Sequence, residues 1–164
     1  MKIIKYESKY KDDLIFMVLE AKNALNRVPT LNDDLLDIDG CYLNKGDMFW
    51  IMVDENDRVI GSVGCNLLPN NEAVLHRLYV KANLKRQGLG TELLKVAEQF
   101  AIDNGRKIMK LHLGEKVTYF ESRQFYPKHG YVEYETDYMK KELTELPGNF
   151  SKRRISNNTN STLY

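Results

Sequence analysis

Only two cysteines, Cys41 and Cys65, occur in 164 residues, and they share no metal-type spacing. His76, His112 and His129 form no HxxxH pattern and no CxxC is present, so zinc has no evident ligand set and no metal is expected. Neither sign of charge is in excess. The 24 Lys and Arg stand against 23 Asp and Glu, a net charge of +1, whereas a domain that wraps nucleic acid is strongly basic. Nucleic acid is therefore not an expected partner. No run approaches the ~18 apolar residues of a membrane span, and the opening MKIIKYESKY has no apolar h-region. No membrane is expected, and the cytoplasm is the expected compartment. Internal repeats and interdomain linkers are also missing, and the length is below the roughly 200 residues above which chains split into several cores. What is present, 43% hydrophobic and 29% charged residues, is the balance of one globular domain.

Met1 to Tyr6 alternates as a short strand, and Ser8 is placed to cap a helix with Leu14, Ile15, Val18 and Leu19 at helical spacing. Pro29 and Thr30 are expected to open a second short helical stretch that stops near Gly40, with Asp33, Asp34, Asp37 and Asp39 as its solvated face. Three strands follow as an antiparallel meander, at 48–53, 59–68 and 72–80, separated by polar turns. The segment GLGTELLKVAEQFAIDNG reads as the clearest helix: Leu89, Leu93, Val96, Ala97, Phe100 and Ala101 share a face, and Gly105 marks its end. A strand at 107–113, a helix from Thr118 to about Tyr126 ended by Pro127 and Gly130, and a strand pair over 131–143 complete the order. Residues 144–164 lack apolar periodicity and read as a tail outside the 1–143 domain. That tail is expected to pack on its own chain or on a second copy, as in a homodimer.

The segment Leu78 to Leu94 carries the chemistry, because a strand there runs through a basic, glycine-containing turn into a helix. The first N–H groups of a helix lack intrahelical acceptors, and the dipole adds partial positive charge at that end. Gly88 and Gly90 remove Cβ atoms that would hold a phosphate away, while Lys85 and Arg86 add charge. Two familiar phosphate motifs fail. A dinucleotide fingerprint needs glycine where Leu93 stands, and the Walker pattern needs G-K-[ST] where Leu89, Gly90 and Thr91 stand.

The stretch Lys85-Arg86-Gln87-Gly88-Leu89-Gly90, preceded by Leu78-Tyr79-Val80, resembles the acyl-CoA pyrophosphate loop of the GNAT superfamily of N-acetyltransferases, [QR]-x-x-G-x-[GA] after a strand ending in hydrophobic-x-Val. Lys85 replaces Gln or Arg at the first position, keeping charge but losing bidentate hydrogen bonding. Downstream, Phe125-Tyr126-Pro127-Lys128-His129-Gly130-Tyr131 is similar to the family's aromatic-Tyr pair followed by Gly and an aromatic. The resemblance spans about residues 1–143. It implies a mixed, mostly antiparallel α/β sheet of six to seven strands flanked by about four helices, splayed open to admit acetyl-CoA. It further implies that Leu78 to Val80 present backbone N–H groups to the acetyl and pantetheine groups. Lys85 to Thr91 would cradle the pyrophosphate, and Tyr119 and Ser122 would stand along the pantetheine arm. Tyr126 would be the acid that meets the departing thiolate.

Direct transfer to an amine also needs a base. His76 is the better candidate, being near neutrality in its ordinary pKa, with a rate limb expected between about 6 and 8. Glu72 and water are the alternatives. Period-2 geometry puts Glu72, Val74, His76 and Leu78 on one strand face unless a bulge intervenes. Cys65 reads as a small buried hydrophobe, and His112 and His129 as surface or helix-end residues. The expected activity is acetyl transfer from acetyl-CoA to a primary amine of a small molecule, an amino acid or a protein. A non-catalytic acyl-CoA binding module is the alternative, and a kinase is disfavoured by the missing Walker lysine.

Overall fold

The computed structural model describes residues 1–114 and 120–144. Its elements are β1 (Lys2–Lys5), α1 (Lys11–Ala24), α2 (Ile38–Cys41), β2 (Met48–Val53), β3 (Val59–Leu67), β4 (Glu72–Val80), α3 (Leu89–Asp103), β5 (Ile108–His112), α4 (Phe120–Lys128), β6 (Val132–Glu135) and β7 (Tyr138–Glu142). The seven strands form one sheet in the order β1-β2-β3-β4-β5-β7-β6. Every neighbouring pair is antiparallel except β4 and β5. The expected α/β architecture, a mostly antiparallel sheet of six to seven strands with four helices, is the one observed. Among the described residues no helix is long and apolar enough to cross a membrane. Residues 145–164, nearly all of the expected tail, and Tyr119 lie outside the described residues.

The strands are apolar on alternate or on both sides because the sheet is covered twice. On one face α3 buries Leu93, Leu94, Ala97 and Ala101 against Val63, Cys65, Ala73 and Leu75. On the other, α1 places Leu14, Met17 and Val18 against Phe49, Ile51 and Val53. A leucine as fully enclosed as Leu93 contributes about 1.5–3 kcal/mol. Gly64 on β3 is required by a close approach: a Cβ there would lie 2.8 Å from the Tyr42 ring and 2.9 Å from that of Phe49. Gly64→Ala is expected to cost about 1–3 kcal/mol by overpacking, read as a lower denaturant midpoint at unchanged slope.

Three local expectations are corrected. Ser8 opens only a 3-10 turn, Ser8–Tyr10, and gives no side-chain cap to α1, whose first turn follows directly from Tyr10. The second helical stretch begins at Asp33 rather than Pro29, and it is broken into Asp33–Leu36, Ile38–Cys41 and Leu43–Lys45. The cause is the buried Lys22 ammonium, which donates to Thr30 O at 2.6 Å and to Asn32 and holds that segment non-helical, while the Asp37 carboxylate restarts the helix by accepting from Gly40 N. Pro127 does not end α4. It sits one residue before the end of the helix, where the i→i−4 bond its missing N–H forgoes is one of the last in the ladder, and the helix closes at Gly130, whose φ is +88°.

β4 and β5 pair only from Glu72 opposite Ile108 to Val74 opposite Lys110. Beyond Val74 the two strands part, which leaves that edge of β4 without a strand partner among the described residues.

Candidate active site

A cavity of about 390 Å³ opens at this gap. Its walls are the free edge of β4 at Leu78 to Val80, the turn and first residues of α3, and α4. Gly88 caps α3 at φ +81°, a conformation that side chains rarely adopt, and a Cβ there would meet open space. The helix start therefore faces the cavity bare. Lys81 N donates to Ile60 O across β3 at 2.8 Å. By the alternation of an extended strand, the Val80 N–H then points the other way, into the gap.

Of the loop residues, Lys85, Arg86, Gly88, Leu89, Gly90 and Thr91 all line the cavity. Gln87 does not, although it stands in the same turn. Arg86 itself is left-handed at φ +66°. Lys85 is not a bare charge: its ammonium meets the Glu121 carboxylate of α4 at 2.7 Å across the cavity. Ser122 and Tyr126 line the opposite wall. The Tyr126 ring packs edge-on to Phe125 and Tyr131, and among the described residues its hydroxyl has no hydrogen-bond partner. Burial, and secondarily the neighbouring Tyr79, raises its pKa, so the phenol keeps its proton throughout the neutral range.

His129 stands at the end of α4, as its reading as a helix-end residue implies, and it also lines this cavity. Its Nδ1 lies 2.9 Å from Phe125 O, and a carbonyl only accepts, so Nδ1 carries a proton; its Nε2 lies 3.0 Å from Thr91 Oγ1. The ring thus ties the end of α4 to the first turn of α3. The i, i+4 spacing of Phe125 and His129 hinted at the first bond, while nothing local signals the second.

β4 divides this cavity from another, of about 510 Å³, on the α1 side of the sheet. His76 opens into that second cavity beside Asp34, Tyr42, Asp47 and Arg77. Among the described residues the His76 ring nitrogens have no hydrogen-bond partner. Burial, then the positive charge of Arg77, pushes its pKa below the ordinary histidine value, against the opposing pull of Asp34 and Asp47. Glu72 is not brought to either cavity: it pairs with Lys110 at 3.0 Å, where β4 and β5 are still joined.

The bulge that period-2 geometry had to allow for is present. Gly64 lies opposite His76 but Ser62 lies opposite Tyr79, so β4 carries one extra residue, and Arg77 sits there at φ +54°. The faces consequently exchange. Ala73 and Leu75 pack on the α3 side before the bulge and Leu78 and Val80 after it, while Tyr79 turns to the α1 side. Leu78 is thus not on the face of Glu72, Val74 and His76. Asp34, expected on a solvated face, is likewise drawn in: it pairs with Arg77 at 3.0 Å and accepts from the Tyr42 hydroxyl at 2.6 Å.

Cys65 is enclosed, and burial pushes its thiol up to about 12. His112 packs at a tilt against Tyr138, 4.8 Å between centroids, away from both cavities. Phe49 is fully buried in the core, and Trp50 is half-buried against it, packed on Phe100. Among the described residues no three His, Cys, Asp or Glu side chains converge as a metal site would require.

Comparisons with known proteins agree with this geometry. The family model of the acetyltransferase (GNAT) family matches residues 16–131. N-acetyltransferase 8 of Homo sapiens is 33% identical over 93 residues, which are 52% of this chain and 40% of that protein, so the match covers less than half of that relative's length. A crystal structure of a GNAT-family acetyltransferase from Staphylococcus aureus Mu50 superposes with a TM-score of 0.77 at 23% identity, covering 87% of this chain and 99% of that one. The PaiA N-acetyltransferase from Thermoplasma acidophilum, solved in complex with coenzyme A, gives 0.72 at 18% identity, covering 86% and 98%. These two structures share the fold. With the family model spanning the sheet gap, the Gly88 turn and the Tyr126 helix, the chain belongs to the GNAT family of acetyltransferases.

Proposed function

We propose that the protein moves an acetyl group from acetyl-CoA directly to a primary amine of a small molecule, an amino acid or a protein. The observation that carries this reading is the Tyr126 hydroxyl, protonated and without a partner among the described residues, in the same cavity as the bare start of α3 and the free edge of β4. The bound cosubstrate supplies the thioester. The first N–H groups of α3, with Lys85, Arg86 and Thr91, hold the pyrophosphate. The β4 edge from Leu78 to Val80 offers backbone donors to the pantetheine arm and the thioester oxygen, where negative charge develops. Ser122 stands along the arm, and Tyr126 gives its proton to the departing thiolate. His76, on the far side of β4 from the cosubstrate, accepts the proton of an amine that approaches the β4 edge from the second cavity. The domain that does this is read as residues 1–143, supported by the Leu143 N–H, which extends the β5–β7 ladder by donating to Lys107 O at 2.7 Å.

Release of free thiol from acetyl-CoA across a panel of primary amines tests the reading. Amine-dependent release is expected, and tight acetyl-CoA binding without release would mark a binding module instead. The pH profile tests His76. Its pKa is lowered, so the neutral form that acts as base persists below the ordinary value of about 6.5. The acid limb of kcat/KM is therefore expected below about 6.5, rather than between about 6 and 8, and absent in His76→Ala. An unchanged limb in that variant would hand the role to water.

A further inference from the structure

The bulge of β4 is built on a residue ill suited to it. Arg77 adopts φ +54° without being glycine, and such a conformation persists only where the surroundings over-determine it. Two groups do so from different elements. The Ser62 hydroxyl on β3, fully buried, donates to Arg77 O at 2.7 Å. The Arg77 Nε–H lies 3.0 and 3.1 Å from the two Asp34 carboxylate oxygens, and the Tyr42 hydroxyl donates to the same carboxylate at 2.6 Å. Burial works against the Asp34 charge, but the hydrogen bonds from Arg77 and Tyr42 outweigh it and hold the carboxyl below the usual range. Asp34 is itself fixed, because Leu35 beside it is fully enclosed and Lys22 anchors the preceding segment at Thr30 O.

We infer that Asp34 and Ser62 are positioning residues that lock the left-handed Arg77 bulge and so set which side of β4 faces the cosubstrate. The register shows what the lock controls. With the extra residue, Lys81 N donates to Ile60 O and the Val80 N–H faces the gap. Without it, the strand beyond His76 would slip by one residue, Val80 would face β3, and Leu78 and Val80 would leave the α3 side. The contacts therefore act on the donors through the backbone without touching the reacting atoms. This inference rests on the proposed use of the β4 edge by the cosubstrate.

Ser62→Ala and Asp34→Asn, singly and together, test it, with Tyr42→Phe as the milder probe of the same carboxylate. Carbon chemical shifts of Arg77, measured without any substrate, are expected to leave left-handed values in Ser62→Ala and in the double variant. Acetyl transfer is expected to fall about tenfold or more in kcat, and the double variant to lose little beyond the worse single one, since both act on one bulge. Affinity for 3′,5′-ADP, which reports the phosphate turn alone, should stay within about threefold. Arg77 shifts that remain left-handed in the double variant would overturn the lock, as would folded variants with wild-type kcat or a loss of 3′,5′-ADP affinity parallel to kcat. A wild-type protein inactive with every amine would instead count against the acetyltransferase reading, leaving the shift measurement to decide the lock.

Discussion

Tyr126→Phe is expected to lower kcat by roughly 10²- to 10⁴-fold, the usual span for one acid–base group, while affinity for acetyl-CoA stays within a few-fold. The ring remains wedged against Phe125 and Tyr131, so packing is preserved and only the hydroxyl is lost. Because that hydroxyl has no partner among the described residues, its removal leaves no orphaned donor or acceptor there. The loss falls on the transition state, where the C–S bond breaks and the thiolate takes up the proton, more than on the bound ground state. A tyrosine that served only the core would give the reverse, a lower melting temperature with near-normal turnover. The measurement needs an acceptor for which chemistry limits the rate, since slow product release would conceal the defect. Full kcat in the Phe variant under those conditions would remove Tyr126 from the mechanism.

The second large effect is expected at Gly90. A Cβ there would meet the Phe125 ring at 3.6 Å and Val80 at 3.8 Å, ordinary contacts, so the position tolerates a side chain sterically. This corrects the expectation that a Cβ at position 90 would itself hold the phosphate away: a methyl there packs on Phe125 and Val80, so Gly90→Ala is expected to fold and to bind acetyl-CoA within about threefold of the wild type, as a change of about ±0.5 kcal/mol allows. Gly90→Glu adds a carboxylate at the start of α3, where the cosubstrate's phosphates are to sit. One like-charge contact at about 4 Å near a surface costs on the order of 4 kcal/mol before screening, so an affinity loss of about 100-fold is expected. Calorimetry on both variants separates charge from bulk, which Gly88 could not do because its φ of +81° strains any replacement. Equal affinities in the two would remove the phosphates from this turn.

Much of this arrangement is legible in the residues because its signals are local. The α3 face repeats at helical spacing, the meander alternates between polar turns, and Gly88 and Gly90 mark a strand-to-helix junction within ten residues of Val80. The parts that were missed depend on distance along the chain. Asp34 meets Arg77 across 43 residues, and a run of four aspartates gives no sign that one of them turns inward. Thr91 and His129 are 38 residues apart. The bulge left one trace: apolar positions Ala73 and Leu75 are two apart, while Leu75 to Leu78 is three, the slip that an extra residue imposes. Arg77, unlike a glycine, offers no hint of a left-handed backbone.

The contact between Lys85 and Glu121 changes what ionic strength can do to this cavity. Counted from the sequence, the basic groups around the α3 turn suggest binding that weakens steeply as salt is added. Lys85, however, already has a carboxylate 2.7 Å away, so an arriving phosphate exchanges one anionic partner for another instead of meeting an unpaired ammonium. Salt weakens the old contact together with the new one. Long-range attraction of the cosubstrate is accordingly smaller than the count of lysines and arginines implies, and the fixed dipoles of the backbone, which dissolved ions do not replace, carry a larger share of the hold.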